Sequence, residues 1–536
     1  MVTCGVAVSR LLIQHGVEVV FGIPGNHTLE LYRGLDDSPI RHVTSRHEQG
    51  AAFMADGYAR ASGRAGVCLL ISGPGLLNAA TAIAQARADS IPMLVISAVA
   101  GRAQQGKGLG LLHELPNQQA AARGFCTQSL SLTRAEDLPA LLDYVFTAFA
   151  RQRPGPIHLE IPLDLMTESI ELDQLPKTPV PALATDLQIP TEALACLNSA
   201  KQPLLLLGGG SVIAGRRALT ALAECLDAPV IQTTNAKGLI PRDHPLFVGG
   251  SPSLPAVQQA LNNADVLLAI GTEFGETDYD LLMTEPLALR GKLVRVDIDP
   301  IQLTRNQIPN FEIVGDAADV VRLLHGQIHA RVPGNGAARA QTLRQSIQSE
   351  AHYHPQMARF FAVLQAESEL LVVGDSTRPT YYATWQYEPD RPRGYFHSVS
   401  GFGTLGYAIP AAIGARLGSR GPVLALIGDG GAQFTLPELA TARDSDIAVT
   451  FLIWCNRGYE EIENSLKVRG VSNRSTDISS PDFTLIGEAY GLTVYQPRSW
   501  ADLSRALTQA LAEPKANLLL LDQERFITQP SGQWYT

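Results

Sequence analysis

Short runs of apolar residues alternate with longer amphipathic stretches along the whole chain. Residues 19–21, 67–71 and 93–97 are apolar over a strand's length. Runs of that kind suit strands buried on both faces. Residues 48–61 and 78–88, between them, carry a helical pattern. The alternation predicts parallel sheets covered by helices on both sides. Ile157-His-Leu-Glu-Ile161, stopped by Pro162, reads as the closing strand of a first unit. A second unit opens with the strand and glycine turn Pro203-Leu-Leu-Leu-Leu-Gly-Gly-Gly210, and continues through 266–270 and 293–298. A third starts near His354 and holds strands at 370–373, 423–427 and 449–454. The proline-rich, polar stretch 171–190 reads as a linker, and 331–338 as a second loose stretch. The expected architecture is α/β: three doubly wound parallel-sheet domains over 1–170, 190–330 and 350–536.

Composition agrees with that organisation and removes several function classes. The chain has 536 residues, enough for three to four ordinary domains. It is 45% hydrophobic and 18% charged with a mean hydropathy of +0.04, which excludes disorder, collagen and coiled coil as the main state. The net charge of −10 argues against a nucleic-acid partner, which would call for a basic stripe. Six scattered cysteines form no C-x-x-C pair, so no zinc ribbon or thioredoxin-type motif is available, and they fit reduced thiols in a cytoplasmic protein. Arg10, His15 and Glu18 in the first helical pattern speak against a signal peptide. No apolar run approaches the ~18 residues of a membrane helix.

Two glycine motifs carry candidate chemistry. Gly401-Phe-Gly403-Thr-Leu-Gly406 matches G-x-G-x-x-G, but it follows Tyr395-Phe-His-Ser-Val-Ser400 rather than an evident strand, which weakens a nicotinamide reading. Gly428-Asp429-Gly430-Gly431 is more informative. It follows the strand at 423–427, precedes a helix expected near Leu436, and lies twenty-five residues before Asn456. Both Asp429 and Asn456 then fall at carboxyl ends of strands, where open α/β sheets bind ligands. Glycine amides can approach phosphate oxygens there. Asp429 and the Asn456 amide oxygen supply two hard ligands, and a backbone carbonyl, two diphosphate oxygens and a water would complete the octahedron Mg²⁺ prefers.

The segment from Gly428 to Asn456 resembles the signature of thiamine diphosphate enzymes. So do Val20-Phe-Gly-Ile-Pro-Gly25, Arg46-His-Glu-Gln-Gly-Ala-Ala52, Ala55-Asp-Gly-Tyr-Ala59, Ser72-Gly-Pro-Gly75 and Gly403-Thr-Leu-Gly-Tyr-Ala-Ile-Pro-Ala-Ala-Ile-Gly414. The resemblance spans essentially the whole chain, in the order pyrimidine-binding, central and diphosphate-binding domain. It points to the acetolactate synthase and benzoylformate decarboxylase group. Within that group, residues 21–33 and Leu112-His-Glu-Leu-Pro116 are most similar to decarboxylases of 2-ketoarginine.

The resemblance implies roles for particular residues. Glu48 hydrogen-bonds the cofactor's pyrimidine ring and controls its tautomer; taken without the family, it is a carboxylate in a helix's first turn. Leu405 wedges between the two rings. Pro24, Thr377, Arg378, Gly403, Gly430, Gly431, Asn456, Gly458 and Tyr459 line the cofactor, and Asp429, Asn456 and Gly458 hold Mg²⁺. Asn26, His27 and His113 face the 2-oxo acid. Glu114, Glu460 and Glu461, with Glu463 beside them, form an acidic rim suited to a guanidinium.

The expected function is thiamine diphosphate- and Mg²⁺-dependent decarboxylation of a 2-oxo acid to an aldehyde, with 5-guanidino-2-oxopentanoate giving 4-guanidinobutanal. An acetolactate synthase-like carboligase or a benzoylformate decarboxylase-like enzyme is the alternative, and a non-catalytic subunit on the same fold the rival from another class. By the same resemblance the site is shared between two chains. The expected assembly is a homodimer at minimum and a homotetramer in full, with no membrane partner.

Overall fold

The computed structural model describes residues 1–172, 187–279, 286–331, 334–350, 353–472, 474–476 and 478–527. Three parallel sheets form the frame. The first contains β1 (Val19–Gly22), β2 (Arg41–Thr44), β3 (Gly66–Leu70), β4 (Met93–Val99), β5 (Gln128–Ser131) and β6 (Pro156–Pro162), in spatial order β2-β1-β3-β4-β6-β5. The second contains β7 (Leu204–Leu207), β8 (Val230–Gln232), β9 (Val266–Ile270), β10 (Lys292–Asp297) and β11 (Phe311–Val314), in order β8-β7-β9-β10-β11. The third contains β12 (Leu371–Gly374), β13 (Tyr395–His397), β14 (Val423–Gly428), β15 (Thr450–Cys455), β16 (Thr493–Tyr495) and β17 (Asn517–Asp522), in order β13-β12-β14-β15-β17-β16.

The expected α/β class is therefore what the chain adopts. The inner strands β1, β3, β4, β7, β9, β12 and β14 are buried at every residue, as their unbroken apolar runs require. In the first and third sheets the strand order reverses beside one strand. Neighbours lie on both sides of β1, and on both sides of β12. Such switch points open a crevice at the carboxyl edge.

Several expectations need correction. Tyr395–His397 is a strand, so the G-x-G-x-x-G run does follow one; it is a short edge strand on β12. The helix expected near Leu436 is the short Glu438–Asp444, and a single helical turn that the pattern did not mark, Asp429–Ala432, precedes it. The helix expected from residue 78 starts at Pro74, because proline's fixed φ and missing N–H suit a first helical position. The loose stretch expected at 331–338 is cut short by the helix Gly336–Ser349, and residues 332–333 lie outside the described residues. Most of the expected linker at 171–190 lies outside them too.

Helices α1 (Glu48–Ser62) and α2 (Pro74–Ala88) flank the first sheet. Helix α3 (Ala408–Gly418) flanks the third, α4 (Glu438–Asp444) follows β14, and α5 (Glu460–Val468) follows β15. A single apolar cluster runs from the first sheet through α1 and α3 into the third. The central sheet has its own core. It is tied to the third domain by Lys237, whose fully buried Nζ lies 2.6 Å from Glu388 Oε1 and donates to the carbonyl of Tyr387 at 3.0 Å. Among the described residues no helix is long and apolar enough to cross a membrane.

Candidate active site

The carboxyl edge of the first sheet gathers one set of side chains. The chain leaves β1 through Pro24 and Asn26, both exposed, into a short turn at Asn26–Thr28. His27 is half-buried there, its Nδ1 2.5 Å from Ser72 Oγ at the end of β3. The His113 ring meets it edge-on with centroids 5.1 Å apart. Burial, and to a lesser degree His113, lowers the pKa of His27, which favours a neutral ring. His113 adopts a left-handed φ of 62°, and its buried Nδ1 has no hydrogen-bond partner. Such strain in a non-glycine residue persists only where the surroundings enforce it. The His113 loop presses on Gly73, where a Cβ would stand 2.4 Å from the His113 carbonyl oxygen. Gln118, unmarked in the sequence, fixes this approach: it accepts from Gly73 N at 2.9 Å and donates to Ala98 O at 2.9 Å.

Glu48 is the first residue of α1, and its half-buried carboxylate accepts from Asn78 Nδ2 of α2 at 2.9 Å. Gly75 lies beside its other oxygen, and a Cβ there would stand 2.6 Å from the Ile71 side chain. The helix start itself is held from a distance. Glu438, first residue of α4 and 1% exposed, accepts from the amides of Arg46 (3.1 Å) and His47 (3.0 Å). Glu114 differs from expectation. Its carboxylate turns into its own loop and accepts from the amides of Leu111 (3.0 Å) and Leu109 (3.3 Å), which hold it below the usual carboxylate range.

The carboxyl edge of the third sheet gathers the second set. Asp429 is 1% exposed at the end of β14; its Oδ2 accepts from Arg457 N (2.8 Å) and Ser480 Oγ (2.7 Å). Asn456, at the end of β15, donates its Nδ2 to Glu460 Oε2 at 3.1 Å, which leaves its amide oxygen as the outward end. Glycines make a cradle between them. A Cβ on Gly430 would stand 2.7 Å from the Tyr459 ring, and one on Gly428 2.8 Å from Thr377 Oγ1. Thr377 and Arg378 follow β12, both buried. Gly458 sits on the turn into α5.

Leu405 is half-buried on the turn after β13. Gly403 (φ 72°) and Gly406 (φ 77°) flank it in the left-handed region, where only glycine is unstrained. That turn hangs from Asp375, which the sequence reading passed over. Its fully buried carboxylate accepts from Gly406 N (3.2 Å), Ala408 N (2.9 Å) and Ser376 N (2.9 Å). Burial pushes it up to about 6.

The second set thus offers a buried carboxylate, an amide oxygen, a backbone carbonyl and a turn of glycines whose neighbours leave no space for a Cβ. Among the described residues no cluster of three or more His, Cys, Asp or Glu is placed to hold a metal. A cation here would complete its shell with the Asn456 oxygen, the Gly458 carbonyl and the phosphates themselves. The residues fit a Mg²⁺–diphosphate.

Fold and site together define an α/β enzyme built around a diphosphate-bearing cofactor. Residues 2–121, 191–324 and 374–520 match the models of the N-terminal thiamine pyrophosphate-binding, central, and C-terminal thiamine pyrophosphate-binding domains of thiamine pyrophosphate enzymes. The chain belongs to that family, and thiamine diphosphate is its cofactor. It is 40% identical to a probable 2-ketoarginine decarboxylase of Pseudomonas aeruginosa, across 97% of this chain and 94% of that one. It is 31% identical to a probable acetolactate synthase large subunit of Methanocaldococcus jannaschii, across 96% and 90%. Among solved structures, the thiamine diphosphate-dependent 4-hydroxybenzoylformate decarboxylase of Rhodococcus jostii shares the fold with a TM-score of 0.80 at 23% identity, covering 97% of this chain and 99% of that one.

Proposed function

We propose that the chain is a thiamine diphosphate- and Mg²⁺-dependent 2-oxo acid decarboxylase that converts 5-guanidino-2-oxopentanoate to 4-guanidinobutanal and CO₂. The observation that carries the reading is the 40% identity to a probable 2-ketoarginine decarboxylase over nearly the full length of both chains. The cofactor, when bound, would supply a carbon nucleophile for the ketone and an electron sink for the pair left on carbon when CO₂ departs.

The chain's own residues do the rest. Glu48 holds and moves a proton at the cofactor's pyrimidine ring, and Asn78 fixes its orientation. Asp429, Asn456 and Gly458 hold Mg²⁺. Gly430, Gly431, Thr377 and Tyr459 cradle the diphosphate, with Arg378 beside them, and Leu405, Gly403 and Pro24 shape the ring pocket. His27, bonded to Ser72, and His113, whose ring it meets, would handle the proton that the product carbon takes up, with Asn26 at the substrate carboxylate. The two half-sites complete each other between chains in a homodimer, and two dimers make a tetramer. The six free cysteines suit a reducing, cytoplasmic compartment.

A panel of 2-oxo acids assayed for CO₂ and aldehyde release tests the reading. The guanidino acid should show the highest kcat/KM. A higher value for benzoylformate or pyruvate overturns the substrate, and acetolactate as the main product from pyruvate overturns decarboxylation in favour of carboligation.

A further inference from the structure

The turn that carries Leu405 has little stiffness of its own. Gly403 and Gly406 flank it with left-handed φ values, which glycine adopts without strain and leaves as easily. Leu405 itself is half-buried. Its place must come from the bonds made on either side of it. The Thr404 carbonyl accepts from Ser398 Oγ at 2.7 Å and Ser376 Oγ at 3.3 Å, both in the third domain. The hydroxyl and amide of Thr404 turn the other way. They donate to Gln85 Oε1, at 3.1 and 3.4 Å, across 319 positions of sequence.

Gln85 is fully buried in the second half of α2, in the first domain. It lies two helical turns beyond Asn78, the donor to Glu48. Its amide has one orientation: Nε2 donates to Asp89 Oδ2 at 3.0 Å, so the oxygen faces Thr404. Asp89 also accepts from Arg60 Nη2 at 2.6 Å. Arg60 Nε reaches Asp56 Oδ2 at 2.7 Å, and that carboxylate accepts from the hydroxyl of Tyr407. The bonds close a loop, Thr404–Gln85–Asp89–Arg60–Asp56–Tyr407, with Leu405 between its two ends. All six side chains are buried. A buried polar network whose members are satisfied specifies one geometry, where apolar contacts alone would let the turn slide. At the Tyr407 end the anchor is the Arg60–Asp56 ion pair; at the Thr404 end it is the Gln85 amide.

We propose that Gln85 is a positioning residue for the decarboxylation, which acts through Thr404 to fix where Leu405 stands before the cofactor binds. The inference rests on the reading above in which Leu405 shapes the ring pocket. Gln85 is fully buried and touches neither cofactor nor substrate.

Two measurements on the full-length protein test it. Gln85→Met keeps side-chain length and helix propensity but neither accepts from Thr404 nor donates to Asp89. The first measurement is amide hydrogen exchange without cofactor. The amides of Gly403 and Gly406 keep their own acceptors, Ser398 O and Asp375 Oδ1, in this variant. Faster exchange there reports movement of the turn as a unit. It should rise roughly 5- to 150-fold, the range for one buried donor left without an acceptor, while exchange at the Arg457 amide, bonded to Asp429, stays within about threefold.

The second is a double-mutant cycle on the cofactor-loaded enzyme. Gln85→Met and Leu405→Ala should each lower kcat at least about fivefold with KM for the 2-oxo acid within about threefold of wild type. In the Leu405→Ala chain, Gln85→Met should change kcat by less than about threefold, because the residue it acts on is already gone. A residue that only holds the fold together would add its full loss in either background. Thr404→Val removes the hydroxyl from the other side of the same bond and takes the place of Gln85→Met if that chain does not fold; Thr404→Ser should behave as wild type. Unchanged exchange at Gly403 and Gly406, an unchanged kcat in Gln85→Met, or losses that add in the cycle overturn the inference and leave the decarboxylase reading standing. Wild-type kcat in Leu405→Ala removes Leu405 from the ring pocket and takes the inference with it.

Discussion

Glu438 makes the most local claim open to test, because its role is purely geometric. It lies 392 residues beyond Arg46, yet its carboxylate holds the turn that presents Glu48. Oε1 accepts from both Arg46 N and His47 N; Oε2 accepts from Arg46 N at 3.2 Å and from Thr441 Oγ1 at 2.7 Å. Glu438→Ala removes every one of these acceptors. Each amide left without one costs about 1–3 kcal/mol, which corresponds to roughly 5- to 150-fold in local opening. Hydrogen exchange at residues 46 and 47 reads this directly, without requiring the whole three-domain chain to unfold in one step. Glu438→Gln keeps a carbonyl oxygen at the Oε1 position, and its NH₂ can donate to Thr441 in place of accepting. Exchange in the Gln chain should stay within about threefold of wild type, and kcat should fall in the Ala chain and recover in the Gln chain. Gly50→Ala attacks the same contact from the other side, since its Cβ would stand 2.1 Å from Glu438 Oε1. Unchanged exchange in the Ala chain, or an equal rise in the Gln chain, refutes the reasoning.

Glu48→Gln should retain cofactor binding but slow exchange of the cofactor's C2 proton by orders of magnitude; wild-type exchange would remove Glu48 from the mechanism. Asp429→Ala should abolish Mg²⁺-dependent binding of thiamine diphosphate, measured by titration, and full binding without added metal would sink the metal assignment. Mixing Glu48→Gln and Asp429→Ala chains should restore part of the activity if the site is shared between chains; no recovery despite demonstrated chain exchange counts against sharing. For Asp375 the sign runs as for any acid raised by burial: about 6 folded against ~3.9 unfolded. Its contribution to stability is full below pH ~4 and is lost as pH rises towards 6, on the order of 3 kcal/mol. Denaturant midpoints of wild type and Asp375→Asn should therefore diverge across that window, and a pH-independent difference would show that Asp375 does not titrate there.

What the sequence disclosed follows from what each segment buries. The inner strands are legible because both faces are covered, so their residues are uniformly apolar. Gln128–Ser131, Tyr395–His397 and Thr493–Tyr495 are short edge strands with polar residues among them, and no run marks them. The single turn at Asp429–Ala432 contains no apolar stripe at all. Asp429 and Asn456 are visible because they directly follow apolar strands, and His27 because of the family-like run around the Pro24-Gly25 turn. Asp375 carries the same signal, an acid just past an apolar strand. Glu438 and Gln118 gave none: their partners lie far along the chain, and only the fold brings them together. Nothing in the run Glu460-Glu461-Ile462-Glu463 shows that Arg378, 82 residues earlier, pairs with Glu460.

The crossing of α1 and α3 explains why two of the family-like motifs are rich in small residues. A Cβ on Gly57 would stand 1.9 Å from the carbonyl oxygen of Ala411, and one on Gly414 1.8 Å from that of Met54. No side chain fits at either point, so the two helices touch backbone to backbone. Close crossing of this kind needs glycine on both partners, and it leaves neither helix room to slide. Helix α1 begins at Glu48, and α3 begins two residues after the turn that Asp375 holds and that carries Leu405. The residues of the Ala55–Ala59 and Gly403–Gly414 segments that read as family signatures are thus partly packing residues. They fix the distance between the Glu48 end of α1 and the turn that carries Leu405 within the same chain. Alanine at either glycine would have to separate the helices, and the displacement would pass directly to both.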